Sequence, residues 1–240
     1  MISHILTRLS SFADYQMLGY SNENIRLIMD SFHDVEVVPS MVPEYVHYGN
    51  PLPRIQLASL RIPFFITILT QRIDISVVAV NKDGFSEDER MQQKQNLPKY
   101  LASMLNLFSA KAPLANRLAW FNTYMYVDID DNKKMEFKNR FLKETDFFSQ
   151  HATDDFSARF SSREECVQLH EELNVLMSVN RISTYNPPNI LVDGYKIDFD
   201  INTLQENQRN RFQGKDCGSF VDAASAYQDT LEGDFINEYR

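Results

Sequence analysis

Two pairs of aspartates have the spacing of a cation site. Asp128 and Asp130 follow a long apolar run, and Asp198 and Asp200 alternate with apolar residues in the segment YKIDFDIN. Residues two apart on a strand share a face and lie roughly 6–7 Å apart, and Mg²⁺ and Mn²⁺ prefer oxygen ligands. Convergence of the two pairs would create the metal site of a nuclease or phosphohydrolase. The alternative, which we favour, is that these aspartates occupy solvent-exposed strand faces.

Other catalytic signatures are missing from the sequence. It contains no Gly-rich phosphate loop followed by lysine, no paired CxxC, no HExxH and no GxSxG. Cys166 lies four residues before His170, so on a helix the thiol and the imidazole would share a face as a nucleophile pair. No oxyanion-hole pattern accompanies this pair. We therefore expect a protein that is not an enzyme and needs no cofactor, with Mg²⁺ or Mn²⁺ only in the aspartate alternative.

One arginine interrupts an otherwise apolar strand pattern. Arg117 comes shortly before Trp120 and Phe121 in LANRLAWFNTYMYVDI. An inward-pointing guanidinium would need a carboxylate partner, because burial of an unpaired charge is very unfavourable. Asp198 or Asp200 could provide that partner in a structural ion pair. The other possibility is an arginine that points outward into solvent.

A short basic segment follows this strand. Residues 131–143 form one predicted helix, and it carries Lys133, Lys134, Lys138, Arg140 and Lys143. Such a cluster can contact phosphate groups, but it is more typical of a solvated helix face. Nucleic acid is also an improbable partner because 24 Lys and Arg stand against 33 Asp and Glu, for a net charge of −9.

Composition and charge distribution describe a globular, acidic chain. The 240 residues are 43% hydrophobic and 24% charged, which excludes a disordered protein. The acidic excess is concentrated in residues 144–172 and 216–240, which flank a neutral to basic middle. No apolar run is long enough to span a membrane, and we find no signal peptide. Two cysteines in such a chain are typical of reduced thiols, so we expect a cytoplasmic protein.

Periodicity along the chain predicts alternating helices and strands. A helix at 20–32 and a short strand ending at Pro39 lead into a proline-rich connection, so residues 1–50 are predicted as an N-terminal unit and 51–240 as the main domain. Within the main domain we predict strands at 54–60, 62–70, 72–80, 114–129, 156–160 and 195–202, and helices from 86, 131 and 219. Residues 162–180 fit either a helix capped by Ser162 or, as we favour, a break near 171 followed by a strand.

The order of these elements predicts the fold class. Consecutive strands separated by short breaks far outnumber strand–helix–strand alternations. We therefore expect an α+β protein with an antiparallel meander sheet and helices packed mainly on one side. Each half reads as strands followed by a long helix, which suggests a loose duplication, although no residue-level repeat was recognised.

The sequence resembles an uncharacterised, sporadically distributed bacterial family of conserved hypothetical proteins. The resemblance covers roughly residues 35–235, and it depends on Arg117 before Phe121-Asn122 and on the late Asp198-x-Asp200 strand. It implies a cytoplasmic α+β protein and transfers no activity. Sporadic distribution further implies an accessory role, such as phage defence or toxin neutralisation.

These observations favour a non-catalytic binding protein that docks a partner protein. The acidic segments would attract a basic partner such as a nuclease or a nucleic-acid-binding toxin. The alternatives are the metal-dependent enzyme built on the four aspartates and a nucleic-acid binder that uses the 131–143 helix.

Overall fold

The computed structural model describes residues 2–32, 35–45, 50–60, 62–78, 87–109, 112–141, 155–186 and 190–236. These residues form four α-helices and one nine-stranded antiparallel sheet, so the predicted α+β fold class is confirmed. The strands are β1 (Ile2–Phe12), β2 (Val37–Glu44), β3 (Leu52–Ser59), β4 (Phe64–Ile68), β5 (Arg72–Val78), β6 (Arg117–Val127), β7 (Ser157–Cys166), β8 (Glu171–Asn186) and β9 (Ile190–Thr203). The helices are α1 (Asn22–Ser31), α2 (Glu87–Leu107), α3 (Asp131–Asn139) and α4 (Asp216–Phe235).

The sheet has the strand order β2-β3-β4-β5-β1-β6-β9-β8-β7, which contains the predicted meander and places β1 near its centre. Sequence periodicity did not predict β1. The reason is that Arg8 and Ser10 alternate with Thr7 and Ser11, so polar residues occupy both faces of the strand and the period-two signal is weak. Residues 1–50 therefore contribute two strands to the same sheet as the rest of the chain.

Strand β2 corrects the prediction of a proline-rich connection. The strand does not stop at Pro39 but continues through Pro43 to Glu44, in register with β3. It is the edge strand of the sheet, where prolines are tolerated because the backbone on the outer side has no neighbouring strand to donate to. The two prolines also disfavour pairing with another chain along this edge.

Residues 162–180 contain a second correction. Strand β7 continues to Cys166, a 3-10 turn spans Val167–Leu169, and β8 begins at Glu171. The helix capped by Ser162 is therefore wrong, whereas the predicted strand after residue 171 is confirmed. Most of β7 is exposed on both faces because it lies at the sheet edge, so its sequence lacks an apolar alternation.

All four described helices pack against one face of the sheet, which we call the inner face. In register across the central strands, its side chains include Ile75, Leu9, Trp120, Ile201 and Val175. These residues join helix side chains in one large apolar cluster, and a second cluster forms around Phe137 and Phe199. The side chains of the opposite face, which we call the open face, have no packed helix among the described residues.

The two halves of the chain share one topology. Strand β1 is followed by α1, the β2–β5 meander and α2, and β6 is followed by α3, the β7–β9 meander and α4. In each half the last meander strand pairs with the first strand, and β1 and β6 pair with each other. The sheet consequently has an approximate two-fold axis between β1 and β6, which supports the suggested duplication.

Gly194 provides a test of how closely β9 packs on β6. A Cβ atom at this position would lie 2.1 Å from the carbonyl oxygen of Tyr126 and 2.8 Å from the Cα of Val127, and backbone cannot move aside cheaply. We expect Gly194→Ala to lower the free energy of unfolding by about 3 kcal/mol, as measured by urea denaturation.

The matched control is Gly233→Ala in α4, where a Cβ atom would meet nothing within 4 Å. This variant should be more stable than wild type by about 0.5–1 kcal/mol, because alanine has the higher helix propensity. Equal stability of the two variants would contradict the described β6–β9 packing.

Candidate functional site

The open face is a polar sheet surface with arginine and phenylalanine side chains at its centre. One row of directly paired residues runs across five strands, through Ser76, Arg8, Phe121, Asp200 and Leu176. Arg8, Phe121 and Asp200 are half-buried, although no described helix covers them.

A repeated motif lies on the two-fold axis of this face. The residues RLSSF at 8–12 on β1 and RLAWF at 117–121 on β6 share the pattern Arg-Leu-x-x-Phe. The antiparallel register places Arg8 opposite Phe121 and Phe12 opposite Arg117. Each guanidinium stacks on the other strand's ring, at 4.6 Å for Arg8 and 3.7 Å for Arg117. This residue-level repeat was missed in the sequence because β1 was not recognised as a strand.

Arg117 lies between two cavities. The larger, of about 450 Å³, is bounded by β6 to β9, and the smaller, of about 350 Å³, by the end of β1 and the β4–β5 turn. Volumes of this size are typical of ligand sites. The larger is lined by Arg117, Arg159, Asn174, Leu176, Asp200, Asn202, Gln205 and Glu206, and the smaller includes Phe12, Asp14, Thr70, Gln71, Asn116, Arg117 and Gln208.

The predicted structural ion pair of Arg117 is absent among the described residues. Its Nε is buried without a hydrogen-bond partner, and Asp200 acts on it only as a nearby charge. Burial is the main cause that lowers the pKa of Arg117; the Asp200 carboxylate opposes this shift, and the positive charge of Arg72 adds to it. Arg117 thus points outward onto the open face, and its guanidinium is partly desolvated there.

The four aspartates do not converge. Asp198 forms an ion pair with Lys196 at 2.8 Å, and it lies opposite Thr123 on β6. Asp128 and Asp130 come after Val127, so at least four residues, or roughly 13 Å of strand, separate the pairs. Within the described ranges, no three His, Cys, Asp or Glu residues are grouped so that they could hold a metal ion.

The members of each aspartate pair have separate structural roles. Asp198 also accepts a hydrogen bond from Thr123 at 2.7 Å, and Asp200 accepts one from Asn202 at 3.0 Å. Asp130 caps α3 by accepting from the backbone N–H of Lys133 at 2.9 Å. Asp128 is exposed and adopts a left-handed backbone with φ 58° at the end of β6.

The basic segment does not form a continuous solvated surface. Lys134 forms ion pairs with Asp193 at 2.6 Å and Asp131 at 3.0 Å, and its hydrogen bond with Asp193 is the main cause that raises the pKa of Lys134. Lys138 is buried and Arg140 donates to the carbonyl of Asp234 at 3.1 Å. Lys133 remains exposed.

The last member of the predicted patch, Lys143, lies outside the described residues. The structure therefore disagrees with a solvated helix face at Lys134 and Lys138. Lys134 is paired with Asp193 of β9 and Lys138 is buried, so neither extends freely into solvent for a phosphate backbone.

Cys166 and His170 do not form a nucleophile pair. Cys166 is fully buried at the end of β7, whereas His170 is exposed with φ 52° after the 3-10 turn. Burial raises the pKa of the Cys166 thiol, which disfavours the reactive thiolate. The helix that would have placed the two residues on one face does not exist.

A buried polar network was not predicted from the sequence. Gln228 on α4 accepts hydrogen bonds from Trp120 Nε1 and Asn122 Nδ2, both at 2.6 Å, and donates to the hydroxyl of Tyr124 at 3.0 Å. Tyr124 and Gln228 both donate to the carboxylate of Glu232. The sequence signal for this network was that Gln228 and Asn122 occupy inward positions whose neighbours on the same face are mostly apolar.

His4 extends the network at the end of β1. Its Nε2 donates to the Leu6 carbonyl at 3.0 Å and lies 3.0 Å from Thr7 Oγ1, and Thr7 in turn donates to Asn122 Oδ1 at 2.6 Å. Burial, assisted by the positive charge of Lys94, lowers the pKa of His4 to about 4. The imidazole is therefore neutral in the folded protein near pH 7.

Gln228 is a test of how much the network stabilises the fold. Gln228→Leu should lower the free energy of unfolding by about 2–4 kcal/mol in urea denaturation, because Trp120 and Asn122 then lose their acceptor inside the protein. Thr230→Leu, at an exposed position of the same helix, should change it by less than about 0.5 kcal/mol. Similar losses in both variants would contradict a special role for Gln228.

His4 should make stability depend on pH. Because the pKa of His4 is about 4 in the folded chain and 6.5 otherwise, its contribution is complete above pH 6.5 and is lost as pH falls towards 4, when only the unfolded chain takes up the proton. The loss amounts to about 3 kcal/mol. The stability of His4→Gln should fall less than that of wild type over this range, as followed by urea denaturation at successive pH values.

The control for this titration is His170→Asn, at an exposed position whose left-handed backbone asparagine tolerates. It should keep the wild-type pH profile. A His4→Gln curve that runs parallel to wild type would show that His4 does not titrate as described.

Comparison with known proteins leaves the site to be interpreted from its geometry. A scan against models of protein families gives no match, and a search of curated proteins finds none that is similar. Among the described helices, none combines the length and apolar character that a membrane span requires.

Proposed function

We propose that this protein is a non-catalytic binding protein that docks a partner protein on its open face. The reciprocal stacking of Arg8 on Phe121 and of Arg117 on Phe12 is the observation that carries the proposal. Arginine and aromatic side chains are enriched where protein interfaces are most strongly bound. Here they are held in place before any partner arrives, which lowers the entropy lost on binding.

The charge pattern of the open face favours a protein over a nucleic acid. Carboxylates from three positions, Asp74, Asp198 and Asp200, lie on this face among its arginines. A phosphate backbone would meet these negative charges at regular intervals, and nucleic-acid affinity depends on their neutralisation. A protein surface can instead present complementary charges at separate points.

The acidic segments offer a second surface for a basic partner, as expected from the charge distribution. On α4, Asp222, Asp229 and Asp234 are exposed. The hydroxyl of Tyr227 donates to the carbonyl of Glu165 at 2.9 Å, so α4 and the end of β7 are in contact. In this version of the proposal, the accessory role suggested by the family resemblance is neutralisation of a cationic toxin.

Site-specific photo-crosslinking in the native host tests which surface binds. A benzophenone amino acid replaces Ser76 or Ser178 on the open face, and Asp222 or Asp229 on α4, with Arg26 on the exposed side of α1 as the control position. We expect the same partner protein to be crosslinked from both open-face positions and from none of the others.

Two results would contradict docking on the open face. One is that neither the Ser76 position nor the Ser178 position gives a crosslinked partner. The other is a partner crosslinked only from Asp222 and Asp229 and lost when lysates are crosslinked at about 500 mM instead of 50 mM salt, since screening weakens attraction between exposed charges. The second result would support docking on the acidic surface instead.

A further inference from the structure

The arginines of this protein fall into two groups according to their hydrogen bonds. Arg211 is of the structural kind: its guanidinium pairs with both oxygens of Glu171, at 2.5 and 3.0 Å, while stacking on Phe212. Arg54 likewise donates to main-chain carbonyls and pairs with Glu44 at 3.4 Å. Arg117 also stacks on a phenylalanine, but it has no hydrogen bond or ion pair with any described residue.

The two-fold repeat provides an internal comparison for Arg117. Arg8 stacks on Phe121, and the residue paired with Phe121 on β9 is Asp200. In the other copy Arg117 stacks on Phe12, and the residue paired with Phe12 on β5 is Arg72. One copy of the motif therefore has a carboxylate, Asp200, at the position where the other copy has a second guanidinium, Arg72.

The remaining charges on this face do not correct the imbalance at Phe12. Arg72 is paired with Asp74 at 2.8 Å, and Asp74 also accepts a hydrogen bond from Ser10 at 2.6 Å. Asp198 is paired with Lys196 on its own strand. Arg117 forms no ion pair with a described residue: the Asp200 carboxylate acts on it only as a nearby charge, and the positive charge of Arg72 opposes that effect. Arg159 lines the same larger cavity as a further positive charge. Arg117 is the arginine of the motif that lines both cavities.

We propose that Arg117 is the binding site for a carboxylate on an extended peptide segment of the partner. The planar guanidinium can bind a carboxylate through two parallel hydrogen bonds, and its buried Nε has no internal partner to lose. The amide side chains of Asn174, Asn202 and Gln205 line the adjacent cavity and match the donors and acceptors of a peptide backbone. This inference rests on the proposed function, because it specifies what the open face recognises.

A single carboxylate fits the cavities better than a run of phosphates does. The larger cavity also exposes Asp200 and Glu206, and the smaller one exposes Asp14. These carboxylates would repel neighbouring negative charges but leave room for one anionic group at Arg117. An isolated glutamate or aspartate between uncharged residues has this character.

Nuclear magnetic resonance of the arginine Nε–Hε groups tests this site in the full-length protein. The probe is the end-blocked peptide acetyl-Gly-Gly-Glu-Gly-Gly-amide, with the corresponding glutamine peptide as the matched ligand. We expect the Arg117 signal to shift and saturate with the glutamate peptide only. The Arg211 signal should not move, because its Nε already donates to Glu171.

Variants separate a binding role from a structural one. Arg117→Gln should weaken glutamate-peptide binding at least about tenfold, and Arg117→Lys should also weaken it because lysine lacks the planar fork. Arg26→Gln removes the same charge from the exposed side of α1 and should change binding less than about twofold. Arg117→Gln should keep the wild-type thermal midpoint within about 2 °C, since no internal hydrogen bond is lost.

Several outcomes would overturn this inference. Equal shifts with the glutamate and glutamine peptides would exclude carboxylate recognition, and a shift of Arg8 in place of Arg117 would contradict the argument from asymmetry. Binding of decathymidylate at least as tight as that of the peptide, and dependent on Arg117, would identify the ligand group as a phosphate. The crosslinking from Ser76 and Ser178 does not depend on any of these results, so failure here is distinguishable from failure of the proposed function.

Discussion

The register between β1 and β6 determines both faces of the molecule. On the inner face it pairs Leu9 with Trp120 and allows Thr7 to bond Asn122, and on the open face it crosses the two Arg-Leu-x-x-Phe motifs. Because side chains alternate along a strand, a slip of one residue would turn one of the two strands over, so that its arginine would face the helices and its apolar residue, Leu9 or Trp120, would face solvent. A buried, unpaired guanidinium is so unfavourable that this alternative register is excluded. The same pairing therefore specifies the core and the open face together.

The polar network beneath α4 adds a second constraint on this arrangement. The helix could slide along an apolar sheet at little cost, since apolar contacts are not directional. Gln228 removes that freedom, because it must meet Trp120, Asn122 and Tyr124 at the same time to satisfy its own donor and acceptor groups. The network lies where the two apolar clusters meet, and Leu231 contacts both. The hydrogen bonds consequently fix the position of α4 on the sheet, while most of the favourable free energy of packing comes from burial of apolar surface.

The sequence was informative wherever one side of an element is apolar and the other is not. The strands of the β3–β5 meander and β9 alternate clearly, so the fold class followed from them. Strand β1 was missed because Thr7 and Ser11 face the core, where they are satisfied by hydrogen bonds that periodicity does not reveal. Edge strand β7 was predicted only over 156–160, and its continuation to Cys166 was missed because neither face is buried in the residues before Cys166. The reciprocal stacking of Arg117 and Phe12 depends on a long-range register between two strands, and a pattern local to either strand contains no such information.

The two halves of the sheet surround the repeated Arg-Leu-x-x-Phe motif with different charges. Two identical halves would surround both motifs with the same charges, so any requirement of the fold for a carboxylate would be met twice. Instead, one half has Asp200 and the other has Arg72 at the equivalent position. Stability alone does not favour the second choice, because it adds a like charge beside a partly desolvated guanidinium. The stacking on Phe12 still holds the side chain in one orientation. Arg117 is thus oriented by its stacking on Phe12 and has Asp200 only as a nearby charge. Arg211 differs because both oxygens of Glu171 accept hydrogen bonds from its guanidinium.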